Sequence, residues 1–487
     1  MFTIIKNSQK KALFAAAISL VSAINVAPAL ASDPVVLTFS TVGDSRQDPT
    51  TPDETVINPA MVGVGNCPIT TGTGTIANPG LTGQDCKWQQ NTTAWSRILR
   101  TIQSEKSNLL FFNGDMIMGY GLADIPVSRA SSVSIPVATT ATPNPADTET
   151  PTALTISTPA SISSVVTSDL MQFYQQYGFW RGMVANLMET GTYVVPVPGN
   201  HETECKRCGK KSQWQNENAW RDNMGDLVLD KTRLNNILSS TGLSLNASTW
   251  SVANTPSSTA VINGVTNPDG ITTSQQQLSY SFDIGTNHFS VINTDPAGND
   301  SHAPYNWLDA DLTAAVANGA THLFVFGHKP AFYYYYAGAN VAGTGETTSS
   351  SSSLYLADNT AGTNFWNVIM KHNATYFCGH EHIYNVSQPQ NNATPTGGPS
   401  YQVIVGAGGS PFDDLLSTTS PATPESVGVQ TTEPTGTVTA LASDRMYSWA
   451  TVSIHKSGAV VMNTYGFDTT LTNPIVNLGT FTLPTAQ

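Results

Sequence analysis

Charge is scarce in this chain, and positive charge is scarcer still. Only 11% of its 487 residues are charged, with 21 Lys and Arg against 34 Asp and Glu, for a formal charge of −13. An acidic, lightly charged surface argues against wrapping a nucleic-acid backbone, so no nucleic-acid polymer is expected as a partner. It does not exclude a small anion held by metal ions, which bring their own positive charge. Long apolar runs are also missing beyond the N-terminus: no later segment is long and apolar enough to span a bilayer. Cysteine is sparse, with five residues in all.

The one apolar stretch, Ala12 to about Leu30, follows Lys6, Lys10 and Lys11 and ends in Ala29-Leu30-Ala31. A basic start, an apolar core and a small-x-small site predict a signal peptide over residues 1–31, cleaved after Ala31. Its interruption by Ser22, Asn25 and Pro28 disfavours a membrane anchor. The predicted localisation is therefore secreted or periplasmic. Cleavage would move the formal charge from −13 to −16, because three Lys and no acid leave. In an exported chain the cysteines read as disulfides plus one free thiol. Cys205 with Cys208 and Cys67 with Cys86 are the expected pairs, and Cys378, inside an apolar run, is the expected buried thiol.

What the chain does contain is a series of apolar, strand-like runs that each lead to a Gly and a metal-competent side chain. VVLTFSTV precedes Gly43-Asp44, NLLFFN precedes Gly114-Asp115, and YVVPVP precedes Gly199-Asn200-His201-Glu202. THLFVF precedes Gly327-His328, and ATYFC precedes Gly379-His380-Glu381-His382. Glycine at such a strand end is expected to permit a sharp turn. The pattern brings distant residues to one edge of a sheet, where two Asp, an Asn and several His form a ligand set for two divalent metals. Alone, an Asp at a strand end is more often a turn former or helix cap.

Helix patterns alternate with these runs, at Thr93 to Ser104, Asp169 to Glu189, Trp307 to Ala317 and Asn364 to His372, with Asp169 as a candidate N-cap and Gly191 as a stop. Helix-then-strand repetition predicts a largely βαβ-type α/β core. Length alone allows one large domain or two to three ordinary ones. The spread of motifs favours a single domain over 32–487, with Ser, Thr, Ala, Gly and Pro-rich insertions near 123–168, 203–276, 337–362 and 415–440. The strand-like runs after His382 are expected to finish the sheets.

The order of these motifs resembles the calcineurin-like metallophosphoesterase superfamily, over roughly residues 35 to 470. The pairing of GNHE with GHEHIYNVS, and GHKP ahead of the latter, look most like its purple-acid-phosphatase-like branch. The resemblance implies two packed mixed β-sheets flanked by helices, a four-layer sandwich, with metals at the sheet edges. It also implies two divalent or trivalent ions (Fe, Zn or Mn). Asp115 would bridge them, Asp44 and His382 would hold one, and Asn200, His328 and His380 the other. The implied reaction is hydrolysis of a small phosphate ester by metal-bound hydroxide, phosphomonoesters ahead of phosphodiesters or nucleotides.

Two departures from the family pattern stand out. Many members carry Asp-x-His in the first motif, where this chain has Asp44-Ser45-Arg46. Purple acid phosphatases carry Tyr three residues after the second Asp, where this chain has Met118, with Tyr120 two residues further on. Arg46 cannot replace a His ligand because guanidinium stays protonated; it is a candidate to contact a phosphate oxygen or to pair with a carboxylate. Water, a substrate oxygen, Gln47 or Asp48 could complete the first metal. His201 is the candidate to protonate the leaving oxygen or to stabilise charge on the phosphoryl group, with a purely loop-shaping role beside Glu202 as the alternative. Glu381 is expected to point away from the metals.

Phe332 and Tyr333 to Tyr336 are expected mostly to pack, some of the Tyr lining an entrance. Trp88, Trp95, Trp180, Trp214 and Trp220, and the His residues outside the motifs, are expected to be structural. A competing reading is a non-catalytic surface or binding protein on the same scaffold, suited by the Thr- and Ser-rich insertions and by the missing first-motif His.

Overall fold

The computed structural model describes residues 33–46, 85, 88–124, 168–245, 254–332, 353–389, 400–410, 438–444, 446–467 and 473–487. The signal segment 1–31, Gln47, Asp48, Cys67, Cys86, Tyr333 to Tyr336 and much of the predicted insertions lie outside the described residues.

Two large sheets account for the apolar runs. The first contains β1 (Val35–Val42), β2 (Leu109–Asn113), β3 (Tyr193–Val197), β11 (Tyr447–His455), β12 (Val460–Phe467) and β13 (Val476–Thr482), in the order β13-β12-β11-β1-β2-β3. The second contains β4 (Tyr280–Ile284), β5 (Asn287–Val291), β6 (His322–Phe326), β7 (Thr375–Cys378), β8 (Tyr384–Pro389), β9 (Gln402–Val405) and β10 (Val438–Asp444), in the order β10-β8-β9-β7-β6-β5-β4. Both are mixed. β1, β2 and β3 run parallel, as do β5, β6, β7 and β9, while β4, β8, β10, β11, β12 and β13 pair antiparallel.

Side-chain alternation along the parallel strands explains why they read as unbroken apolar runs: both faces are buried. Leu109 and Phe111 point into a core shared by the two sheets, where Phe111 stacks on Phe326 at 3.7 Å and Phe39 meets Phe324 edge-on at 5.0 Å. Leu110 and Phe112 point the other way, against helices α1 (Thr92–Glu105), α2 (Asp169–Glu189) and α4 (Trp214–Leu229), with the short α3 (Asn200–Thr203) between α2 and α4 in the chain. On the far side, Leu323, Val325 and Tyr376 of the second sheet pack on α5 (Tyr305–Ala317) and α6 (Asn359–Lys371). Two large mixed sheets flanked by helices are the architecture that the family resemblance implies. Strands β9, β11 and β12, after His382, complete the sheets as expected.

The helices begin where side chains can cap them. Asn91 accepts from Ala94 N and starts α1, whose buried face is Ala94, Trp95, Ile98, Leu99 and Ile102. For α2 the cap is Ser168, which has extended backbone and accepts from Met171 N, and not Asp169. Asp169 is the first helical residue, and its carboxylate instead accepts from Leu122 N and pairs with Arg207. Helix α6 begins at Asn359, five residues before its expected start, because Asp358 accepts from Thr360 N and Ala361 N. Trp95, Trp180 and Trp220 are buried, whereas Trp214, expected to pack, is 44% exposed at the first position of α4. Phe332 packs on Tyr355 and Trp366. Among the described residues no helix is long and apolar enough to cross a membrane.

Candidate metal centre

Five motif-bearing strands deliver their loops to one place, the carboxyl ends of the parallel strands of both sheets. β1 leads to Asp44, β2 to Asp115 and β3 to Asn200 and His201. β6 leads to His328, and β7 to His380 and His382. Such a crevice is where open α/β sheets bind ligands. Backbone hydrogen bonds stitch the loops to one another, both between the sheets and within each. Gly43 N donates to Val405 O (2.8 Å), Asp44 N to Gly114 O (3.0 Å) and Gly379 N to His328 O (3.0 Å).

The expected role of the motif glycines needs correction. Only Gly114 (φ 83°) is left-handed, and the strained conformation falls on the ligand-bearing residues Asp44 (φ 59°), Asp115 (φ 56°) and His380 (φ 71°). Such strain persists only where the surroundings over-determine it. The glycines matter because the loops approach too closely for a side chain. A Cβ on Gly199 would meet Asp115 N at 2.5 Å, and one on Gly379 would collide with the Asp44 carboxylate.

The side chains converge in two clusters that share Asp115. In the second cluster Asn200 Oδ1 lies 2.8 Å from His328 Nε2 and 3.1 Å from His380 Nδ1, the two imidazole nitrogens are 3.2 Å apart, and Asp115 Oδ1 is 3.1 Å from His328 Nε2. Four donors that form bonds of ~2.0–2.2 Å to one ion should stand about this far from one another. His328 Nδ1 donates to Asn113 O at 2.7 Å, which turns Nε2 toward the cluster. The first cluster contains Asp44, Asp115 and His382, with donor atoms within 4.8 Å of one another. Asp44 Oδ2 accepts from His380 N at 3.0 Å, but Asp44 Oδ1 is buried with no hydrogen-bond partner among the described residues. That oxygen meets His382 Nε2 at 3.6 Å, beyond hydrogen-bond range, and a buried carboxylate oxygen so placed suits a cation. The donor sets fit metal ions.

Protonation follows the same shortage of positive charge. Burial pushes the Asp44 carboxyl well above its usual range, and His328 opposes the push while Asp115 adds to it. Asp115 pays the same burial penalty, but His201 and His328 overcome it and hold it well below its usual range. Burial lowers the His380 imidazole, with His328 adding to the effect. Burial lowers His328, but Asp115, joined by Asp44 and the Asn113 carbonyl, raises it to about 10.

Arg46 lies in the first cluster. Its Nε donates to Asp115 Oδ2 at 3.2 Å, and a terminal nitrogen lies 3.4 Å from His382 Nε2. Of the two contacts open to it from sequence, the structure contains the carboxylate pair. His201 is buried with Nδ1 against Met118 O, so Nε2 faces Asp115 Oδ2 at 3.6 Å. Burial, helped by Arg46, pushes this imidazole well below its usual range.

Three residues have roles that the sequence did not indicate. Glu202 is fully buried, and its carboxylate accepts from four backbone N–H groups: Gly199 (2.7 Å) and Asp115 (2.8 Å) at Oε2, and Met116 (2.9 Å) and Ile117 (3.1 Å) at Oε1. It clamps the Asp115 loop to the Asn200 turn and does so without touching the His201 ring. Tyr120 lays its ring on His201 at 3.7 Å, and its hydroxyl accepts from Asn200 Nδ2 at 2.5 Å, which aims Asn200 Oδ1 at the histidines. Lys329 is fully buried, and its Nζ donates to Asp295 (2.6 Å), Ser301 (2.7 Å) and Glu204 (3.1 Å), anchoring the His328 loop. The signals were present, as the acid of GNHE and the Lys of GHKP, but nothing local to them indicates what they grip. Cys205 is bonded to Cys208, immediately after the Asn200 turn, and Cys378 is a buried free thiol.

No protein-family model matches the chain, and no curated protein does. Among solved structures it is similar to purple acid phosphatase PPD1 from yellow lupin (Lupinus luteus) seeds, with a TM-score of 0.45, 10% identity, and cover of 93% of this chain and 54% of that one. The chain thus spans about half the length of the lupin protein. It is also similar to PhoD (TM-score 0.38, 14% identity, 94% of this chain and 74% of that one). A third is GAP50, the anchor in the inner membrane complex of Plasmodium (TM-score 0.36, 11% identity, 93% and 89%). Likeness at this level carries no argument about chemistry, which rests on the chain's own side chains.

Proposed function

We propose that this chain is an exported, metal-dependent phosphoesterase of the calcineurin-like kind, acting on small phosphate esters, with phosphomonoesters favoured. The observation that carries the reading is the shared carboxylate: Asp115 turns Oδ1 to the Asn200, His328 and His380 cluster and Oδ2 to the side where Asp44, Arg46 and His382 lie. Nitrogen and oxygen donors without thiolate suit Fe, Zn or Mn. When bound, two such ions supply Lewis acidity and an acidified water.

The protein's own groups do the rest. Asn113 O and Tyr120 orient His328 and Asn200. Glu202 and Lys329 fix the loops that carry Asp115, Asn200 and His328. With the imidazole held protonated by the negative charge of a bound phosphate ester, His201 Nε2, on the Asp115 side, would donate a proton to a leaving oxygen or a hydrogen bond to a phosphoryl oxygen. Arg46 supplies fixed positive charge toward the phosphoryl oxygens. The Cys205–Cys208 bridge supports export, because disulfides persist in oxidising compartments.

The test is hydrolysis of a panel of phosphomonoesters, phosphodiesters and nucleotides by the metal-loaded protein, with Asp115→Asn as control. Metal-dependent monoester turnover that Asp115→Asn abolishes is expected. Turnover of diesters alone would move the substrate class. Binding of metal with no turnover of any ester would favour a non-catalytic protein on this scaffold.

A further inference from the structure

Arg46 is placed by its backbone, independently of its side chain. Its N–H donates to Asp115 O at 3.4 Å, its carbonyl accepts from Ser410 Oγ at 2.9 Å, and it forms a bridge with Gln90. From that anchor the buried guanidinium reaches Asp115 Oδ2 (3.2 Å), His382 Nε2 (3.4 Å) and Met118 Sδ (3.8 Å). Asp115 and His382 both belong to the Asp44, Asp115 and His382 set. A guanidinium does not lose its charge. It therefore keeps a full positive charge against a carboxylate oxygen of Asp115 and the Nε2 of His382, two groups that would hold an ion at this position. Two cations a few ångströms apart in a poorly solvated crevice repel strongly. Among the described residues no guanidinium lies in the other cluster, and its four donors already stand at coordination spacing.

We infer that Arg46 is a tethered cation competing with a metal ion for the first position. The chain takes its tightly held ion at Asp115, Asn200, His328 and His380, and admits a second at Asp44, Asp115 and His382 only when the guanidinium swings off Asp115. This rests on the metal-centre reading above and deepens it: occupancy of the first position is set by where the arginine is, beyond the count of ligands. A phosphate-type oxyanion is the natural partner for a displaced guanidinium, which matches it with paired N–H donors. Phosphate and the second ion should then bind cooperatively, each raising the affinity for the other.

The full chain, stripped of metal, is titrated with Mn²⁺ and followed by calorimetry and electron paramagnetic resonance. Wild-type protein should take up one equivalent tightly with the six-line spectrum of an isolated ion. Its second equivalent should bind at least about tenfold more weakly than in Arg46→Met, in which an exchange-coupled pair should form. Inorganic phosphate should narrow that gap in the wild type and leave Arg46→Met unchanged. Arg46→Lys, which keeps the charge, should retain the weak second site. Equal second-ion affinity in wild type and Arg46→Met would overturn the inference, and so would Arg46→Lys behaving like Arg46→Met. Absence of any tight equivalent in every variant would instead remove the metal centre on which the inference rests.

Discussion

Replacing Glu202 by Gln changes one oxygen for an NH₂ group and leaves the volume nearly the same. The carboxylate accepts from four backbone N–H groups, two at each oxygen, in a fully buried position. The amide can satisfy only the pair at its remaining oxygen, and the other two N–H groups would face an N–H donor. A buried donor without a partner costs about 1–3 kcal/mol, so the variant should lose about 2–6 kcal/mol of stability. If the loops relax to escape that clash, Asp115 and Asn200 separate, and metal affinity should fall by about 10–100-fold, the usual range for groups that orient ligands. Urea unfolding of the metal-free protein reads the first quantity and calorimetric titration with Zn²⁺ or Mn²⁺ reads the second. A variant that matches the wild type in both would show that this clamp does not hold the site together.

Three further outcomes are expected. His201→Ala should lose about 10²–10⁴-fold in rate on an ester with a poor leaving group and far less on nitrophenyl phosphate, with metal content unchanged; equal losses on both would favour charge stabilisation over proton donation. His288 lies buried between Asp283 (2.6 Å) and Asp311 (2.9 Å), and although burial lowers its pKa, the two carboxylates, Asp311 foremost, raise it to about 9. Because the folded value exceeds the unfolded one, this stability is fully present below about pH 6.5 and is lost as pH rises through 9. It amounts to about 3 kcal/mol, and His288→Asn should flatten the fall in urea midpoint over that window; an unchanged pH profile would refute it. Protein recovered from the exporting cell should have the intact mass of residues 32–487, and a product still carrying Lys6 would remove the export reading.

Much of the site was legible because its signals are local. A strand buried on both faces must be apolar throughout, so the five runs stood out, and each metal-competent residue follows its run within a few positions. Helices before those runs were legible from their periodicity, which acts within one or two turns, although the cap of α2 is Ser168 and not Asp169. Tertiary structure alone decided the rest. Asp44 meets the His380 backbone across 336 positions, and the Lys329 ammonium meets Glu204 across 125. Nothing near Arg46 in the chain says that it lies on Asp115, nor does anything near Glu202 say that it grips four amides. The motif glycines were visible, but apart from Gly114 they serve to avoid a clash with another part of the chain and not to relieve their own backbone. Sequence patterns record which face of an element is buried, since that is repeated at every turn or every second residue. Which groups meet in the crevice depends on how two sheets pack, and that is set by the summed contacts of Phe39, Phe111, Phe324 and Phe326 in the shared core, partners that no local pattern can pair.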